Sequence, residues 1–320
     1  MKVSLITPTY NRADLLEETI VSIVNQDLKD IKLEYLIVDN NSTDNTKEIV
    51  EKYIGVNENV SIRHIFEERQ GINYARNTGI ERSNGEYLIF FDDDIVLEKD
   101  ALLKYIEAFR EFPNQQIFGG RTKLKIPDFE LPKWLVVDGK YARRMIVLSL
   151  DFGDKNSLQS TTGDIPLGPN MALKKDVLDR YGKFRTDLGL KGKKLMTGSE
   201  YELIRRFSKN IKHWVYVADA IAYHPIKKEQ AKKSYFRKRL FGVGRVTYRI
   251  QTFEAKKKIF GLPLYIIGFA LKNFFLACKF RVLNKSVESF YYETEMFLLL
   301  GCICEHFSSR INKTEKAKID

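Results

Sequence analysis

The first 110 residues alternate between short apolar runs and helix-like stretches, and that alternation limits the folds open to the chain. "VSLITPTY", "LEYLIVDNN", "VSIRHIF" and "GEYLIFFDDD" are rich in β-branched and aromatic residues and stop at polar clusters. Between them lie "RADLLEETIVSIVNQ", "STDNTKEIVEKYI" and "INYARNTGIERSN", with Ser42 or Thr43 placed to cap the second. "ALLKYIEAFREF" follows Asp100, a candidate N-cap, and Pro113 closes it. Strand and helix in short alternation predict an α/β fold with a mostly parallel sheet and right-handed crossovers. Ligands of such sheets bind beyond the carboxyl ends of the strands. "TPTYNR", "DNNSTDNT" and "DDD" all fall there, so chain-distant polar segments should share one rim.

Asp92-Asp93-Asp94 is the least expected of these clusters. Three adjacent carboxylates repel one another and resist desolvation, so cations should lie close by. On an extended chain the side chains of Asp92 and Asp94 point the same way. Their hard oxygens suit Mg²⁺ or Mn²⁺. The competing reading has them capping the turn into the next helix.

With 320 residues, 44% hydrophobic and 30% charged, the chain can bury a sizeable core. Three cysteines, Cys278, Cys302 and Cys304, cannot pair completely, and "MKVSLITPTYNR" enters a strand directly rather than a secretory leader. A cytoplasmic setting is the expectation. The net charge of +11 is concentrated: residues 226–258 hold twelve Lys/Arg against Glu229 and Glu254, a net +10.

"SLITPTYNRADLLEETIVSIVNQ", "EYLIVDNNSTDNT", "GINYARNTGIERSNGEYLIFFDDD" and "GPNMALKKDVLDRYGKF", in that order, resemble the family 2 glycosyltransferases. The resemblance covers roughly residues 1–225, and the combination is more specific than any one piece. It implies the GT-A fold and inverting transfer from a nucleotide-diphosphate sugar, most simply a UDP-sugar. Residues 1–110 would form the nucleotide-sugar half, 111–225 the acceptor and base half, and 226–320 an extension. It further implies that Asp92 and Asp94 bind a divalent metal, Mn²⁺ or Mg²⁺, with Asp93 nearer the sugar or ribose. Asp39 would meet the base, and Pro8, Tyr10 and Arg12 would line the nucleotide edge. Arg76, in "ARNTGI", would lie under the donor, facing the diphosphate or held in a structural ion pair.

Inverting transfer needs a carboxylate to deprotonate the acceptor hydroxyl. The family commonly places it in a pattern like G-E-D-T-E-L. Here Gly198-Ser199-Glu200-Tyr201-Glu202-Leu203 occupies that frame, with Glu200 at the Asp position, a departure by one methylene. Ser199 with Glu202, or Thr197 with Glu200, would alternatively form a capping box; Glu200 as base is preferred to that reading and to Glu202. His224, in "AIAYHP", is either a satisfied structural histidine or a third metal ligand, as in some GT-A enzymes. Trp134 is suited to stacking on a sugar or to anchoring its loop.

"IFGLPLYIIGFALKNFFLACKF" is strongly apolar, but Lys272 interrupts it and Pro263 stands near its start. An interfacial helix behind a polybasic stretch fits better than a membrane span. "MFLLLGCIC" is a second such element or its packing partner. The expected protein is a metal-dependent glycosyltransferase acting on a glycan or lipid-linked acceptor for cell-surface polysaccharide or glycolipid. It would associate peripherally with the inner face of the cell membrane, on an anionic surface. The rivals are a sugar-phosphate nucleotidyltransferase, whose Gly-rich basic loop "TPTYNR" lacks, and a basic nucleic-acid-binding protein. No RRM, KH or zinc pattern favours the latter, and no nucleic-acid partner is expected.

Overall fold

The computed structural model describes residues 1–135, 149–191, 194–251 and 253–316. The chain divides into two compact units: Met1–Ile126 with Leu148–Gly192 and Ser199–Pro225, and Pro127–Val147 with Lys193–Gly198 and Ile226–Asp320.

In the first unit the expected alternation is present. It runs β1 (Val3–Thr9), α1 (Ala13–Val24), β2 (Leu33–Asp39), α2 (Thr46–Lys52), β3 (Val60–Phe66), α3 (Ile72–Arg82), β4 (Tyr87–Phe91), β5 (Val96–Leu97) and α4 (Ala101–Glu111). There follow β6 (Ile117–Lys125), β7 (Ser157–Ser160), β8 (Asn170–Lys174), α5 (Lys175–Tyr181), β9 (Gly189–Lys191), α6 (Ser199–Phe207) and β11 (His213–Pro225). The main sheet runs β3-β2-β1-β4-β8-β6-β11-β5, and β7 also pairs with β11. Strands β3, β2, β1 and β4 are parallel, β8 is inserted antiparallel between β4 and β6, and β6 and β11 run parallel again.

Strands β1, β2 and β4 are buried on both faces, and the period of two sends alternate residues to opposite faces. Leu5, Tyr35, Ile37, Ile89 and Phe91 join one core with residues of α1, α2 and α4, including Leu16, Ile20, Val50 and Phe109. Ile6, Leu36, Val38, Leu88 and Phe90 join the other with Ala75 and Ile80 of α3, Val177 of α5 and Leu203 of α6. Fully burying one such side chain stabilises by about 1.5–3 kcal/mol, so truncating Phe90 to Ala should cost about 3–5 kcal/mol. The sheet is therefore a stiff platform whose parallel strands end together: Thr9 is in register with Asp39, and Asp39 with Phe66.

The loops beyond β1 and β2 are sewn to each other. Asn11 N donates to Ser42 Oγ (3.0 Å), Thr43 N to Asn11 Oδ1 (2.7 Å) and Ala13 N to Asp44 Oδ2 (3.1 Å). Helix α2 thus starts later than expected. Neither Ser42 nor Thr43 caps it, because both are engaged by the Asn11 loop; Asp44 Oδ1 instead accepts from Thr46 N (3.1 Å). Asp100 does stand at the N-cap of α4, without a side-chain capping bond.

The second unit contains β10 (Lys194–Met196), α7 (Lys233–Ile250), the hairpin β12 (Lys258–Ile259) and β13 (Leu262–Pro263), α8 (Leu264–Val282) and α9 (Ser286–Lys316). Small residues let α7 and α9 approach closely: a Cβ on Gly244 would strike the Leu298 carbonyl, and one on Gly301 the Phe241 carbonyl. Part of the local basicity is paired within the unit. Arg245 and Arg249 clasp Glu305 at 2.6 and 2.7 Å, and Arg237 holds Glu293 at 2.8 Å. "MFLLLGCIC" lies inside α9, where Cys302 packs with Leu262 and Ile266, so it is a packing partner. Trp134 packs edge-on against Phe290 and Phe236 at 4.6 and 5.6 Å, as an anchor of its segment. Among the described residues no helix is long and apolar enough to cross a membrane.

Candidate active site

Register builds the site. β1 pairs with β4 as far as Ile6 opposite Phe90, and the same register carried three residues on sets Thr9 beside Asp93. Thr9 Oγ1 donates to Asp93 Oδ2 at 2.9 Å. β5 pairs antiparallel with β11, Val96 opposite Tyr223, which brings His224 back beside the aspartates. His224 Nε2 lies 3.5 Å from Asp94 Oδ1.

The two cations that three carboxylates demand are Arg12 and Arg76. Arg12 Nη1 lies 2.8 Å from Asp93 Oδ1 and 3.1 Å from Asp94 Oδ2. Arg76 is buried, its Nη2 3.5 Å from Asp92 Oδ1 and its Nη1 2.6 Å from Glu200 Oε1, with the guanidinium 5.1 Å from the Phe184 ring centre. A single guanidinium therefore joins the strand-end Asp92 to Glu200 at the start of α6, which lies 124 positions beyond Arg76 in the chain.

Burial dominates the electrostatics. It pushes the Asp92 carboxyl up to about 6, with Arg76 opposing and Asp94 and Glu200 adding to the rise. Asp93 is also raised to about 6, by burial first, against the pull of Arg12. For Glu200 burial raises, but the Arg76 charge and hydrogen bonds to the carboxylate outweigh it, and the carboxyl ends below its ordinary range. Glu200 is thus anionic at neutral pH. Its side chain reaches Arg76 and, at 3.4 Å, the Ser199 hydroxyl, while Glu202 is clasped by Arg206 at 2.9 Å. Among the described residues the alternative capping box does not form: the long-range ion pair takes Glu200, and Arg206 takes Glu202.

Asp39, at the end of β2, is buried. Its Oδ1 accepts from Ser42 N (2.9 Å), and its Oδ2 lies 3.4 Å from His64 Nε2 on β3. Burial opposes its ionisation, but the His64 and Ser42 bonds win and hold the carboxyl low. Pro8 is buried within β1 opposite Val38, and Tyr10 is partly exposed just beyond the strand. Four residues of this rim went unremarked in the sequence. Thr9 and Phe184 are unmarked types, His64 lies mid-strand, and Gly168 leaves the space that the Glu200 carboxylate fills. A register built on "TPTY" against "DDD" would have found Thr9; the others carried no local signal.

Asp92, Asp94 and His224 each present one ligand atom, and these atoms lie within 4.8 Å of one another. Two carboxylate oxygens and an imidazole nitrogen suit a borderline-hard divalent ion, so the residues present fit such a cation.

The profile of the family described as "Glycosyl transferase family 2" matches residues 4–182. The chain belongs to this family. Relatives include the putative teichuronic acid biosynthesis glycosyltransferase TuaG of Bacillus subtilis, 38% identical over 109 residues, which cover 34% of this chain and 42% of TuaG. Glycosyltransferase AglE of Haloferax volcanii is 26% identical over 272 residues, covering 84% of this chain and 82% of AglE. The chain spans less than half the length of several relatives it matches, TuaG among them. Among solved structures, mannosyltransferase PcManGT from Pyrobaculum calidifontis, in complex with GDP-Man and Mn²⁺, superposes with a TM-score of 0.65 at 18% identity. That match covers 96% of this chain and 87% of PcManGT. Staphylococcus aureus TarS 1–349 in complex with UDP-GlcNAc gives 0.54 at 17% identity, over 92% and 90% of the two chains. The fold is GT-A, as the sheet and its helices were expected to be, and neither rival activity is favoured.

Proposed function

We propose that this family member transfers a sugar from a nucleotide-diphosphate donor, a UDP-sugar, to a hydroxyl of a cell-surface glycan or lipid-linked acceptor, with inversion. The observation that carries this reading is the buried Arg76 guanidinium, which ties Asp92 to a half-buried, ionised Glu200. Asp92, Asp94 and His224 would hold the divalent ion, Mn²⁺ or Mg²⁺, which when bound neutralises charge gathering on the departing diphosphate. Glu200 accepts the acceptor proton as the acceptor oxygen attacks the anomeric carbon. The C1–O bond to the diphosphate breaks, and the nucleoside diphosphate leaves. Arg76 keeps Glu200 charged and fixes its direction, while Asp93, held by Thr9 and Arg12, faces the sugar or ribose. Asp39 meets the nucleobase, with Pro8, Tyr10 and Arg12 along the nucleotide edge. The extension carries the enzyme to the anionic inner face of the cell membrane, where a lipid-linked acceptor would be found.

A screen of nucleotide sugars for Mn²⁺- or Mg²⁺-dependent hydrolysis and thermal stabilisation tests the donor class. UDP-sugars should score with metal and fail with chelator. In Glu200→Gln donor affinity should survive while transfer falls by roughly 10²–10⁴-fold, the usual contribution of a positioned base. Transfer near parental levels in that variant would place the base elsewhere.

A further inference from the structure

Helix α8 buries a narrow side and exposes the rest. Ile266, Ala270 and Ala277 face inward, Ile266 packing with Leu262 and Cys302, and Ser289 Oγ bonds the Ala277 carbonyl at 2.9 Å. On the opposite side Leu264, Leu271, Phe275 and Val282 are exposed, Phe275 by 66% and Val282 by 87%. Their spacing of seven, four and seven residues keeps them on one line along a helix of 3.6 residues per turn. Gly268 lies on that line too, and a Cβ there would meet nothing within 4 Å. Lys272 and Lys279, also exposed, flank the line on one side.

The chain entering α8 adds charge and a wedge. Lys256, Lys257 and Lys258 are consecutive and exposed, and Leu264 N donates to Lys257 O at 3.1 Å, so the lysines adjoin the first turn of the helix. Between them the hairpin tip presents Phe260, 73% exposed, in a left-handed conformation (φ 47°), with its carbonyl held 2.9 Å from His306 Nε2. A bulky side chain held outward at positive φ by a buried histidine is an unusual use of a turn, where glycine is the ordinary choice.

We propose that the Leu264–Leu271–Phe275–Val282 face of α8, with Phe260 and Lys256–Lys258, is the surface that lies on an anionic bilayer. The occupant is argued from charge: a continuous apolar line edged by lysines matches acyl chains beneath acidic headgroups, with the lysine stems reaching up to the phosphates. A second copy of the same chain would bring like charges together around the line. The proposal rests on the membrane-facing reading of the extension and assigns its residues; it is independent of the donor chemistry.

The test is co-sedimentation of the full-length protein with vesicles of phosphatidylcholine alone and with about 30% phosphatidylglycerol. The parent protein should bind the anionic vesicles and lose them in high salt. Lys256, Lys257 and Lys258 changed together to Gln should lower the partition by about 10²-fold, at roughly fivefold per lysine. Phe275→Glu should abolish binding at low salt as well, with an unchanged melting temperature confirming the fold. A parent protein that binds no vesicle refutes the membrane reading itself. Parental binding by Phe275→Glu refutes only the assignment of this face. A parental dimer that Phe275→Glu dissociates, without vesicle binding, would show a copy-to-copy interface instead.

Discussion

Gly168→Ala tests the placement of Glu200 without touching its chemistry. A Cβ at position 168 would stand 2.9 Å from Glu200 Cδ and 3.0 Å from Cγ, and closer still to Oε1, where ordinary contacts begin at 3.4 Å. The backbone at Gly168 does not require glycine, so the clash falls on the far end of a flexible side chain. The carboxylate must retreat by at least 0.5 Å, and its 2.6 Å bond to Arg76 lengthens or breaks. The stability cost should be about 1 kcal/mol or less, partly offset by the lower entropy of the unfolded chain. Catalysis should suffer more. Misplacing a reacting group by about 1 Å costs roughly 10²-fold, so a drop of about 10–10²-fold in transfer is expected, with donor affinity and melting temperature near parental. The assay is initial transfer rate beside donor Kd by calorimetry, in parent, Gly168→Ala, Glu200→Gln and the double variant. In the Gln background the added methyl should cost almost nothing further, because the group it displaces no longer accepts a proton. A kcat within threefold of parental in Gly168→Ala, or fully additive losses in the double variant, would refute the reasoning.

Asp94→Ala should leave the fold intact while removing the Mn²⁺-dependent part of UDP affinity; unchanged metal dependence in the folded variant would take Asp94 out of the metal set. Asp39→Ala should weaken uridine itself, with or without metal, and parental uridine binding would reduce Asp39 to a partner of His64 and Ser42. Glu67, buried at the end of β3, is held down to about 2 from an ordinary 4.5, chiefly by its Arg69 hydrogen bonds and then by Thr78. A carboxyl depressed in the folded state stabilises fully above its unfolded value, and that stabilisation fades as pH falls from 4.5 toward 2. Glu67→Gln should therefore flatten the loss of urea resistance between about pH 5 and pH 3, and an unaltered slope would show that other carboxylates set the acid limb.

What was legible in the sequence was whatever depends on near neighbours. The β-branched runs announce β1 to β4, the parallel arrangement follows from the helices between them, and a shared rim follows from the parallel arrangement. Asp92 and Asp94 do converge with His224, although the chain turns at Asp93 and Asp94 just past β4 instead of running on extended. The late start of α2 was not legible, since it depends on Asn11 engaging Ser42 and Thr43 from another loop. The insertion of antiparallel β8 beside β4 was equally hidden, because nothing in "NMALK" specifies its partner.

The same division explains why the aspartate cluster could be flagged but not solved. Adjacent carboxylates state a requirement for positive charge, yet the residues that meet it come from a loop 81 positions away and a helix 16 positions away, and the carboxylate sharing Arg76 lies 124 positions from that arginine. Pairing at such distances is set by which strand ends meet, a property of the sheet order rather than of any window of sequence. Arg76 shows the consequence. On its own it could be read as facing the diphosphate or as holding a structural ion pair. In the fold it stands between Asp92 and Glu200, so one guanidinium joins two carboxylates that lie far apart in the chain. The departure from the family pattern at position 200 then acquires a physical reason. The longer Glu reaches a buried guanidinium through the space that Gly168 leaves open, and a shorter Asp at 200 would have to reach the same partner from one methylene further back.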